Sequence, residues 1–214
     1  YSEHLRQTQR VSSDLFFVEG LTFLLSTASP SDYSQIDLLE SKEGAPVQEG
    51  LKLHVMRLKN LRFNIENVEF DGETATKDND KVTAYIGAPF NSLPPDQHAK
   101  KAERKVQTVR DRMRSSLAGM EFKCPRSMIA SLSKGCNGIM NWETTTSRSS
   151  GMPPNEFILG RRVIADIDFK HHFGQYVQTT APRGTQHNSL TERTEACLAL
   201  YADPNGGGGW YYLK

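Results

Sequence analysis

The sequence predicts an α/β core followed by a small all-β module. Three observations carry this expectation. "DLFFV" at 14–18 and "LTFLLST" at 21–27 are short continuous apolar runs of the kind that form buried central strands. Apolar residues then recur at helical spacing, first at Val47, Leu51, Val55, Leu58 and Leu61, and again at Ala102, Val106, Val109, Met113 and Leu117. Roughly the last sixty residues change character: "FGQYVQTT", "ACLALYA" and "GWYYLK" read as short strands separated by turns, with no helix pattern.

Taken in order, residues 1–13 are polar and read as a lead-in. The two apolar runs are joined by "EG" and form a hairpin. "ASPSDYS" is a loop, and a helix spans Val47 to Leu61. "FNIENVEFDGE" gives a third core strand that ends at Asp71-Gly72. "TKDNDK" is a solvated loop, and "VTAYIGAPF" reads as a further short strand. "PPDQ", with Asp96 as cap, starts the basic helix of "HAKKAERKVQTVRDRM". "CPRSMIASLSKGCNGIMNW" is another helix, with Pro125 in its first turn. "ETTTSRSSGMPPN" is a linker. The expected organisation is a core over 1–145, a linker over 146–165 and a β-rich module over 166–214.

The chain has 214 residues, 37% hydrophobic and 24% charged, enough for one packed domain and an appendage. Its net charge of +1 excludes a uniformly basic nucleic-acid binder. The distribution is more informative. Between His98 and Arg114 seven Lys/Arg stand against Glu103 and Asp111, a local balance of +5. Such a face can hold a phosphate backbone whatever the total charge. Three scattered cysteines, Cys124, Cys136 and Cys197, argue against a disulfide framework or a zinc finger and fit a reducing compartment. No run of eighteen apolar residues is present, and no membrane partner is expected. The chain starts at Tyr1 and stops in "WYYLK", so it reads as a piece of a longer polypeptide.

Three carboxylates are placed where chemistry could converge. Asp14 opens the first core strand, Asp71 ends the third, and Glu103 lies one residue off the apolar stripe of the basic helix. Carboxylates at strand ends and on a packed helix suit Mg²⁺ or Mn²⁺. Two such ions clamp the attacking and leaving oxygens of a phosphoryl displacement. The ordinary reading stands beside this one. Twenty-five acidic residues are available, Asp71-Gly72 is a common turn pair, and Glu103 can pair with Lys100 along the helix.

"HAKKAERKVQTVRDRMRSSL" resembles the stretch around the third catalytic acid in integrases of copia-type LTR retrotransposons, and "PRSMIASLSKGCNGIMNW" resembles the helix after it. "MPPNEFILGRR" is similar to the short motif that follows the core. "HFGQYVQTT" and "TERTEACLALYADPNGGGGWYYLK" resemble the succeeding β module. Upstream, "SSDLFFVEGLTFLLST" and "VEFDGE" match the strands that carry the first two acids, so the resemblance spans nearly the whole chain. The sequence departs from the pattern in the "AKK" before "ER" and in the loop-rich region ahead of the Val47 helix.

The resemblance implies an RNase H-like integrase core, a mixed sheet flanked by helices, then a small barrel-like β module. It implies catalytic and metal-ligating roles for Asp14, Asp71 and Glu103 with two Mg²⁺ or Mn²⁺ ions. It implies DNA contacts from Lys100, Lys101, Arg104 and Lys105; for each of these a solvated helix face is the alternative. The implied activity is a polynucleotidyl transfer that processes 3′ ends and joins element DNA to target DNA. Self-association, other Pol domains in the same polyprotein, and nuclear action after a cytoplasmic particle stage are implied with it. The rivals are a non-catalytic or domesticated DNA-binding relic and an RNase H-like nuclease that cleaves without joining. "ADIDFKHH" places Asp166, Asp168, His171 and His172 together without regular ligand spacing and reads as a polar surface. The glycines of "YADPNGGGGW" read as a hairpin turn.

Overall fold

The computed structural model describes residues 8–70, 79–93, 100–144, 151–180, 194–204 and 207–214. Its centre is a five-stranded mixed sheet. The strands are β1 (Thr8–Val18), β2 (Leu21–Ser29), β3 (Ser34–Leu39), β4 (Asn64–Phe70) and β5 (Phe90–Ser92), in the order β3-β2-β1-β4-β5. β1 pairs antiparallel with β2, and β2 with β3; β1 pairs parallel with β4, and β4 with β5. The polar lead-in therefore begins the central strand at Thr8, because Val11 packs in the core and the serines beside it find partners inside.

The β1–β2 connection is the two-residue turn Glu19-Gly20, with φ of 49° and 71°. Positive φ at both positions suits a turn whose twist matches the strands. Arg126 holds this turn from outside, donating to the Glu19 and Gly20 carbonyls at 3.0 and 3.2 Å.

Two layers of helix cover the sheet. On one face α1 (Gly44–Asn60) and α2 (Asn79–Ile86) pack against Val11, Leu24, Val68 and Phe70 through Val47, Leu51, Val55, Leu58, Val82 and Ile86. On the other face α3 (Lys100–Ala118) and α4 (Ile129–Asn141) pack against Phe16, Phe23, Leu25 and Ile36. The apolar stripe expected on α3 is buried at Ala102, Val106, Val109 and Met113.

Two expectations between β2 and α3 are corrected. "VTAYIGAPF" is not one strand: α2 occupies its first part and β5 its end, because Val82 and Ile86, four apart, bury one helical face. The loop expected after β2 is short, and the chain returns at once as β3. Asp96, the expected cap, lies outside the described residues.

After the core, the expected linker is helical in part, at α5 (Pro154–Leu159), and the expected β-rich module opens on a short helix, α6 (Ala165–Asp168). A three-stranded antiparallel sheet follows: β6 (Tyr176–Thr180), β7 (Thr194–Ala202) and β8 (Trp210–Leu213), with β7 in the middle. The expected glycine-containing turn joins β7 to β8, closed by the Asp203 amide donating to the Gly209 carbonyl at 2.8 Å. β7 lies against α4 at Gly135, where an added Cβ would meet Tyr201 Cβ at 3.4 Å. Among the described residues no helix is long and apolar enough to cross a membrane.

Candidate functional site

Strand alternation decides which way Asp14 faces. Ser13 Oγ lies 2.7 Å from Ser26 Oγ, and Ser26 Oγ lies 2.7 Å from Nδ1 of His54 on α1. The Ser13 side chain is thus on the α1 side. Asp14, the next residue, projects to the opposite face. There Phe16, two residues on, is packed beneath α3 and α4, and Leu25, the cross-strand neighbour of Asp14, is packed with it. Asp14 itself is half-buried.

Helix α3 runs beside β1 in the same direction. Lys101 near its start donates to Ser29 Oγ at 2.6 Å, and Ser29 is the cross-strand partner of Arg10. Arg110 further along donates to the Phe17 carbonyl at 3.4 Å and stacks over the Phe16 ring at 5.8 Å. Glu103 precedes Arg110 by seven residues. That is about two turns, so both share the flank turned toward β1, with Glu103 ~10 Å nearer the start of the helix. The exposed Glu103 therefore lies on the flank of α3 turned toward β1, the strand that carries Asp14.

The buried strand residues of this layer come from β1, β2 and β3. Beside Asp14, toward β4, the floor is polar. Ser12 donates to Glu69 at 3.3 Å, and Glu69 and Asn67 of β4 are half-buried. Glu69 is a carboxylate that the sequence reading passed over. Its signal was the alternation in "NVEF", which buries Val68 and Phe70 and turns Glu69 to the other face. Asp71 follows Phe70 in sequence and lies outside the described residues. Phe70 pairs with Ser13, the residue before Asp14. Among the described residues no group of three metal-ligating side chains comes together.

The four basic residues of α3 expected to contact DNA, Lys100, Lys101, Arg104 and Lys105, divide in two. Lys105 is largely buried and ion-paired with Asp32 at 3.0 Å, and Lys101 is bonded to Ser29 on the same flank. Lys100 and Arg104 are exposed on the outer side of the helix.

A Ser-His-Asp constellation also emerges. Ser26 is bonded to His54 Nδ1, and His54 Nε2 lies 3.1 Å from Asp37 Oδ2. It is not a nucleophile site. Ser26 and His54 are buried beneath α1, and the ring presents the opposite nitrogens from those of a hydrolase triad. Asp37 also accepts from Arg57, and from Lys134 at 3.1 Å. Burial alone would raise the Asp37 pKa, but the His54 hydrogen bond and the Arg57 charge hold it well below the usual carboxylate range. Burial pushes the His54 pKa down despite Asp37, so the ring is neutral.

Asp168 is not available to a metal. It accepts both Arg161 guanidinium nitrogens at 2.7 and 2.8 Å and the Ile164 amide at 2.8 Å. His171 packs edge-on against Trp210, with ring centres 5.1 Å apart.

No protein-family model matches the chain, and no curated protein matches it.

Proposed function

We propose that the chain is the integrase core of a copia-type retrotransposon polyprotein, with an RNase H-like fold and a D,D,E site formed by Asp14, Asp71 and Glu103. One observation supports this reading above the others. The polar floor of the sheet around Asp14 lies beneath the β1-facing flank of α3, which carries Glu103 and is continued by a basic helix surface. The strand order β3-β2-β1-β4-β5, three antiparallel strands followed by two parallel ones, agrees with it.

Carboxylate oxygen is the donor type that hard divalent cations take, and Asp14, Asp71 and Glu103 would supply it. When bound, two Mg²⁺ or Mn²⁺ ions would polarise the scissile phosphodiester and lower the pKa of the attacking water or 3′ hydroxyl. The chain's own residues do the rest. Asp14 and Glu103 hold the site from the sheet and from the helix, with Asp71 as the third ligand. Lys100 and Arg104 bind DNA phosphates, giving affinity that is salt-sensitive and largely independent of sequence. Lys101 and Lys105 chiefly fix α3 to the β2–β3 side of the sheet. The substrates are element ends and target DNA, the working form is a homo-oligomer alongside other Pol domains, and the reaction takes place in the nucleus.

A branched DNA substrate tests this directly. Metal-dependent resealing lost in Glu103→Gln supports the integrase. Cleavage without joining favours an RNase H-like nuclease. Intact DNA binding with no product favours a non-catalytic relic.

A further inference from the structure

We propose that His54 is a positioning residue for the Asp14 carboxylate, acting through Ser26 and Ser13; this rests on the reading of Asp14 as a metal ligand. Four elements meet in one buried chain of hydrogen bonds. Ser13 of β1 lies 2.7 Å from Ser26 of β2, Ser26 lies 2.7 Å from His54 of α1, and His54 lies 3.1 Å from Asp37 of β3. Ser13 and His54 are 0% exposed and Ser26 is 2% exposed.

Proton accounting gives every bond one direction. The Asp37 carboxylate only accepts, so Nε2 of the neutral ring must carry the proton. Nδ1 is then an acceptor, and Ser26 must spend its single proton on it. The Ser26 oxygen is left to accept from Ser13. The chain therefore has one proton arrangement, anchored at an ionised group that Arg57 and Lys134 also hold.

Its far end is the residue before Asp14. Ser13 and Asp14 project to opposite faces of β1, so the chain fixes the strand from behind at the point where Asp14 leaves it. A metal ligand has to be held to within about half an ångström, and its supporting bonds matter for that reason. The α1 backbone at His54 does not depend on the ring, because Gln35 Nε2 donates to the His54 carbonyl at 3.2 Å. Ring substitutions thus probe the chain of bonds with the helix held in place.

The test is calorimetric titration of the full chain with Mn²⁺, with urea unfolding and DNA binding run in parallel. Asp14→Asn should abolish Mn²⁺ binding. His54→Leu and, independently, Ser26→Ala should weaken it about tenfold while unfolding stays cooperative and DNA affinity is unchanged. His54→Asn, which keeps an acceptor near the Nδ1 position, should stay within about twofold of wild type. Wild-type Mn²⁺ affinity in a folded His54→Leu or Ser26→Ala would overturn the proposal. So would an His54→Asn as impaired as His54→Leu. Equal Mn²⁺ binding by wild type and Asp14→Asn would overturn the metal-ligand reading itself, by a comparison that leaves His54 untouched, and the inference with it.

Discussion

Lys105 Nζ lies 3.0 Å from Asp32 Oδ2, with both side chains largely buried, at 14% and 17% exposure. The pair ties α3 to the β2–β3 turn on the flank opposite Glu103. Truncating one partner leaves the other charge poorly solvated, so Lys105→Ala should lower the unfolding free energy by ~1–3 kcal/mol, read from the urea midpoint. Lys100→Ala and Arg104→Ala alter exposed side chains and should change stability by no more than about 0.5 kcal/mol. Each should instead flatten the slope of log binding constant against log salt by ~0.9 on duplex DNA. An unchanged slope in both variants would remove these residues from the DNA interface.

The edge strand β3 is fastened by two asparagines of α4. Asn141 Oδ1 accepts from the Ser34 amide and hydroxyl at 3.0 Å each, and Asn141 Nδ2 donates to the Ser34 carbonyl at 2.8 Å. Asn137 repeats the clasp, accepting from Ser34 Oγ at 2.6 Å and donating to the Ser34 carbonyl at 2.9 Å. Asn141→Ala orphans the buried Ser34 amide and should cost ~1–3 kcal/mol. Asn141→Asp should also destabilise, since it cannot donate to the carbonyl. Urea denaturation of both variants checks the pair.

Asp37 and His54 make stability depend on pH. The His54 hydrogen bond and the Arg57 charge outweigh burial and keep the Asp37 pKa low, while burial keeps the His54 pKa low. Both folded-state values therefore lie below the unfolded ones. Each group contributes stability that is present above its unfolded pKa and lost as pH falls. The loss should begin below ~6.5 for His54 and below ~3.9 for Asp37. Urea midpoints should fall between pH 7 and 5 for wild type, and His54→Asn should remove most of that fall. A slope shared equally by both proteins would contradict the buried neutral ring.

Gly50 of α1 sits where the helix crosses the sheet. An added Cβ would meet Leu24 Cδ2 at 2.9 Å and Leu39 Cδ2 at 3.0 Å, both in the packed core. Ala in place of Gly is worth ~1 kcal/mol to a helix, whereas overpacking a core costs ~1–3 kcal/mol. Leu24 is fully buried and has little room to yield, so the steric effect should win and Gly50→Ala should lower the midpoint.

Much of the core was legible because its patterns are local. The runs at β1 and β2 and the apolar stripes of α1 and α3 state their own burial. β3 was not legible. Its polar Gln35 and Asp37 look like loop residues, and what buries them is His54 and Arg57 on a helix still to come. α2 was misread because Val82, Thr83 and Ile86 favour strands intrinsically, and only the sheet beneath selects the four-residue spacing of Val82 and Ile86. At the candidate site, position in the sequence singles out Asp14 and Glu103, whereas the division among Lys100, Lys101, Arg104 and Lys105 depends on Asp32 and Ser29, which no helix pattern reveals. Glu69, two residues before Asp71 in the sequence, was passed over in favour of it.

In the proposed function, Glu103 belongs to a metal-dependent phosphoryl-transfer site. The most direct measurement is strand-transfer reversal on branched DNA with Mn²⁺ or Mg²⁺, comparing wild type with Glu103→Gln. The exposed, isosteric change should leave stability within about 0.5 kcal/mol. Resealed DNA is expected from wild type alone, with equal DNA binding by both proteins. Equal resealing by both, or none from a wild type that binds the substrate, would contradict it.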